Sequence, residues 1–136
     1  MNERLDRGFF PRRGLAAFAL LIAFVAAGCS AQQKFQDQVL VPQLQNAWPG
    51  IVEDARESGA TDLEPTMEAM RDAMRNRDRV AMFLLWPRIR QAAYAGIQFQ
   101  LNRGEIGPGV ADSLRLRVET FDRGVAEITQ GMEVTR

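Results

Sequence analysis

From residue 33 onward, apolar side chains recur every three or four positions and strand-like alternation is nearly absent. In "KFQDQVLVPQLQNAWPGIVEDARESG", Leu40, Leu44, Trp48, Ile51 and Ala55 fall four, four, three and four apart. That spacing is one face of an amphipathic helix. Pro42 and Pro49 each lack a backbone donor and must start, kink or interrupt it. Ser58-Gly59 ends it. In "TDLEPTMEAMRDAMRNRD", Thr61 or Asp62 is the N-cap, and Pro65 stands in the first turn. Glu64 and Glu68 lie toward the positive end of the helix dipole. Leu63, Met67, Met70 and Met74 form the apolar stripe.

"RNRD" reads as a tight turn, with Asp78 capping "RVAMFLLWPRIRQAAYAGIQFQLN". The central "VAMFLLW" is apolar all round, which predicts the most buried segment of the domain, and Pro87 is expected to kink it. Asn102 to Gly104 stops this helix, and "GEIGPG" is a loop. Pro108 then suits the first position of the last helix. Its seam, Leu114, Val118, Phe121, Val125, Ile128 and Met132, alternates four and three apart. The pattern predicts an all-α fold, a small antiparallel bundle of three to four helices near 33–58, 62–76, 78–102 and 108–131. With 136 residues the chain suits one such domain, 35–136, behind a short appendage.

The appendage has its own grammar. "MNERLDRGFFPRR" is polar with net positive charge, and Gly14 to Gly28 then run fifteen residues without a charge. At about 1.5 Å per residue this stretch makes only about 22 Å of helix, short of a ~30 Å hydrocarbon core. A charged start, a short apolar run and small residues before a break describe a secretory signal peptide. "VAAGC", Val25 to Cys29, resembles the lipobox of bacterial lipoproteins. The resemblance implies cleavage by signal peptidase II between Gly28 and Cys29, and a diacylglycerol thioether on Cys29 with its freed amine acylated. Gly28 and Ala27 suit the small positions of that motif; Ala26 stands where leucine is commonest.

The resemblance divides the chain into a signal peptide, 1–28, a lipidated cysteine with a short tether, 29–34, and the helical domain. Two or three acyl chains on one residue hold a protein stably to a bilayer, which one chain does not. Ser30 and Ala31 follow the cysteine, where the family's inner-membrane retention signal is an aspartate. The implied address is therefore the periplasmic face of the outer membrane. The alternative is an uncleaved signal anchor in which the cysteine is a small buried hydrophobe. The resemblance covers the first thirty residues and implies nothing about the mature fold.

Composition narrows the chemistry. Cys29 is the only cysteine and there is no histidine. The inventory therefore lacks an imidazole base, a histidine metal ligand, and the partner for a disulfide or zinc site. No catalytic residue and no cofactor is expected. After the first 28 residues the net charge is −2, which gives nucleic acid no strong field to follow.

Three patterns offer chemistry and are weighed against plainer roles. Met67, Met70 and Met74 share one face, a spacing that thioethers use for Cu(I), but they continue the Leu63 stripe and are expected to fill core. Glu53 and Glu57, and Glu64, Glu68 and Asp72, recur one turn apart, interleaved with Arg56, Arg71 and Arg75. They read as a solvated face of surface ion pairs rather than a cation site. "WPGI" at Trp48 and "WPRI" at Trp86 suggest either a duplicated helical hairpin or two large core residues beside kinks. The small-residue run Ala92 to Gly96 permits close helix approach, with Tyr94 reaching a polar partner.

The expected function is a non-catalytic, protein-interaction domain held to the membrane through Cys29, with an envelope protein as partner. Alternatives are a small-ligand or Cu(I) carrier, and a structural envelope lipoprotein. The tether, Ser30 to Lys34, spans at most about 17 Å, so the domain would sit against the membrane.

Overall fold

The computed structural model describes residues 31–130 and 132. The expected signal peptide and the lipobox-like segment, and with them Gly28 and Cys29, lie outside the described residues. The chain divides into two units at Phe35. Of the first, residues 31–35 are α-helical. The second, Gln36–Arg136, is all-helical over its described residues: a π-helical turn Gln36–Leu40, then α1 Val41–Arg56, α2 Leu63–Asn76, α3 Arg79–Asn102 and α4 Pro108–Ile128. The four helices pack as the expected small antiparallel bundle.

The boundaries follow local chemistry. Pro42 occupies the second position of α1. Its ring crowds the Gln38 carbonyl and supplies no N–H to it, and the wider π turn just upstream takes up that mismatch. The backbone is helical from residue 31, in keeping with the expected start near 33, but the π turn sets the beginning of regular α1 at Val41. α3 begins where predicted, with the Asp78 carboxylate accepting from the Ala81 N–H at 3.1 Å, and α4 begins at Pro108. At the start of α2 the cap is different. Asp62 holds the N-cap position in a left-handed conformation (φ +65°), and its carboxylate makes no capping bond.

The turn from α2 to α3 is closed by Arg77, also left-handed (φ +54°). The Asp78 N–H reaches back to Ala73 O at 2.8 Å and the Arg77 N–H to Met74 O at 3.3 Å, the bonding of a Schellman cap. The Arg77 guanidinium adds bonds to Met74 O and Arg75 O, and a third to Asp37 O in the π turn. Beside it Arg79 pairs with Asp37 at 3.0 Å. Gln36 accepts from Arg79 and donates to Glu127 O. One end of the bundle is thus laced from the π turn across to α2, α3 and α4.

α1 and α3 start at that same end and run parallel, with α2 and α4 antiparallel to them. α3 is central, and each other helix packs more extensively on it than on any other element. The core takes Leu44, Trp48, Ile51 and Ala55 from α1 and Met82, Trp86, Ile89 and Ala93 from α3, each pair 38 positions apart in sequence. α2 adds Leu63, Met67, Met70 and Met74, and α4 adds Val118, Phe121, Val125 and Ile128.

Two expectations are corrected. "VAMFLLW" is not the most buried segment: Met82 and Trp86 are buried, but Val80 and Leu84 are 58% and 65% exposed. A helix touched by neighbours on only part of its circumference leaves an apolar outer face whatever its composition. The seam of α4 is also shorter than expected. Leu114 is half-buried, the helix ends at Ile128, and Met132 lies past that end.

Candidate functional site

The three helices that carry aromatic core residues meet at Phe121. Its ring lies 4.5 Å from that of Trp86 and 5.9 Å from that of Trp48, centroid to centroid, both tilted. Such tilted arrangements suit the ring quadrupoles. The two "WP" segments therefore converge on one side chain of α4. The Trp86 indole N–H donates to Asp122 Oδ1 at 2.7 Å, and Arg90 pairs with the same oxygen at 3.1 Å.

Beside this cluster, a groove of about 360 Å³ lies between α1 and α4. Leu40, Leu44, Ala47, Leu116, Phe121 and Gly124 supply its apolar wall. Gly124 lets Leu44 pack close at that spot: a Cβ there would come within 2.7 Å of Leu44 Cδ2 and push that side-chain tip aside.

At one side of the groove stands Arg117, the partner of a carboxylate that the sequence reading passed over. Asp54 is 4% exposed. Arg117 Nη2 donates to Asp54 Oδ2 at 2.6 Å and to Gly50 O at 3.2 Å. Burial pushes the Asp54 carboxyl above the usual carboxylate range, and the Arg117 hydrogen bond and charge only partly oppose that push. The signal for Asp54 was present in the chain. It lies three residues after Ile51 and next to Ala55, on the apolar face, where an unpaired charge would be costly.

The sequence-predicted candidates separate cleanly. Met67, Met70 and Met74 are all in the core, at 3%, 0% and 1% exposure, packed as side chains that fill irregular gaps. The carboxylates lie on the surface beside arginines: Glu64 takes a two-pronged contact from Arg56, Glu57 pairs with Arg103, and Asp72 lies 3.8 Å from Arg75. Glu68 and Arg71 flank a smaller depression over Trp48 and Met67. Among the described residues no three carboxylate or thiol groups gather as a metal site. Gly96 fulfils the close-approach expectation, lying directly on the Asp54 backbone carbonyl. Tyr94 is half-buried, and burial, with the Glu119 and Asp122 charges, raises its hydroxyl above the ordinary value.

The chain matches no protein family, no curated protein and no solved structure to which it was compared.

Proposed function

We propose that this protein is a lipid-anchored envelope protein. Residues 1–28 act as its export signal, Cys29 carries the acyl chains, and the helical domain binds a protein at the periplasmic face of the outer membrane. The observation that carries this reading is "VAAGC" at the end of a short uncharged run behind an arginine-rich start. Among the described residues no helix is long and apolar enough to cross a membrane. An interaction role is supported by the apolar side chains left on the surface, Val80 and Leu84 on α3 and Val110 and Leu116 on α4.

A second reading, a small-ligand carrier, is favoured by one observation, the groove between α1 and α4. The methionine stripe gives that reading no support, since all three sulfur side chains are spent on packing.

The anchor is tested by Cys29→Ser. Labelled palmitate is incorporated into the parent and not into the variant, and the variant keeps the mass of the precursor. Equal labelling of the two overturns the reading.

A further inference from the structure

We infer that the α1–α4 groove binds the alkyl chain of a long-chain fatty acid, with its carboxylate at Arg117. The volume, about 360 Å³, stands at the small end of ligand sites, which run from roughly 300 to 1,000 Å³. That suits one chain and not a two-tailed lipid.

The polar atoms in the wall select the same class. Ser113 Oγ donates to Gly109 O, and Thr120 Oγ1 to Leu116 O, each one turn back on α4. Both hydroxyl protons are spent on their own helix, so what the uncharged polar residues still offer is the hydroxyl lone pairs and the Gln43 side chain. An extended peptide laid in the groove would bring an N–H and a C=O at every residue, and the wall has few groups to meet them. A hydrocarbon chain brings no such demand.

Arg117 supplies the other half. It is the only charged residue lining the groove, and its side chain remains 35% exposed despite the ion pair. Both of its hydrogen bonds leave from Nη2. Nε is buried without a partner among the described residues, and Nη1 lies over Gly50. Nη1 thus makes no hydrogen bond among the described residues, and the side chain is partly exposed beside an apolar slot. An amphiphile with an anionic head and one hydrocarbon tail matches both features.

The inference does not rest on acylation of Cys29, and the experiment keeps the two apart. The full-length protein, in membranes, is irradiated with a fatty acid carrying a diazirine on its tail. Light-dependent adducts are expected on the segments 40–47 and 113–124. Thr120→Trp fills the groove from an exposed position and abolishes them, while its circular dichroism matches the parent. Leu84→Trp, on the outer face of α3, leaves them unchanged. A chain-matched fatty alcohol competes roughly tenfold less well than the acid, because its neutral hydroxyl accepts a weaker hydrogen bond from the guanidinium than a carboxylate does. Cys29→Ser removes light-independent palmitate and keeps the photoadducts, so either claim fails without the other. Adducts that persist in Thr120→Trp, or that fall equally near Leu84, overturn the proposal. So does a photoreactive residue at position 116 that captures polypeptide in preference to lipid, which would make the groove a protein interface.

Discussion

Gly96 on α3 rests against the backbone carbonyl of Asp54 on α1, with no room between them for a methyl group. Both partners of the contact are main chain, so neither can rotate away. Gly96→Ala gains about 1 kcal/mol of helix propensity, but the clash forces the two parallel helices apart. A net loss of about 1–3 kcal/mol is expected, read as a lowered urea midpoint. A variant as stable as the parent would show that the helices do not cross there.

Phe121 is 1% exposed and touches both tryptophans. Phe121→Ala removes the ring and leaves a cavity, a loss of roughly 3–5 kcal/mol out of a total of about 5–15 kcal/mol. Glu119, two residues away, is exposed, and Glu119→Ala should shift stability by no more than about 0.5 kcal/mol. Paired urea melts followed by tryptophan emission compare them directly.

Helix caps give a sharper contrast. The Asp78 carboxylate holds the Ala81 N–H, so Asp78→Ala should cost about 1 kcal/mol. Asp62 occupies the equivalent place on α2 without using its side chain, and does so at φ +65°. There Asp62→Gly relieves a left-handed backbone, and its thermal midpoint should equal or exceed that of the parent. A large loss at Asp62 would contradict the geometry of that cap.

Asp54 provides a pH signature. Its carboxyl titrates higher in the folded protein than in the unfolded chain. Between those two values the native state holds more protons than the unfolded one, so stability falls as pH rises. The window opens near pH 4, the ordinary aspartate value, and closes above the raised native one. Asp54→Asn lacks this titration. The stability of the parent relative to the variant should therefore decline as pH increases through the window. A constant difference from pH 4 to pH 7, or one that grows with pH, would refute the desolvated carboxyl.

Much of the fold was legible because helices are specified locally. Leu44, Trp48, Ile51 and Ala55 announced their buried face by spacing, Asp78 its cap and Pro108 its start. What spacing does not encode is which part of an apolar circumference receives a neighbour. Val80 and Leu84 look in sequence like Met82 and Trp86, yet only the second pair is covered. The groove was illegible for the same reason, since it depends on how α1 and α4 are placed side by side, with Gly124 opposite Leu44. The Asp54–Arg117 pair joins residues 63 positions apart; its acidic half could have been suspected from the apolar face, its basic half could not.

The central place of α3 sets an order of events for a chain that appears N-terminus first. α1 and α2 emerge before the helix against which both make their main contacts, so the first hairpin has no core to close. At roughly 5–20 residues per second, several seconds pass between completion of α1 and the appearance of Ile97. During that interval Trp48, Ile51 and the methionines of α2 are exposed to whatever holds the nascent segment. The export proposed above would benefit from this delay, because a domain whose keystone arrives third stays threadable until most of it has been delivered.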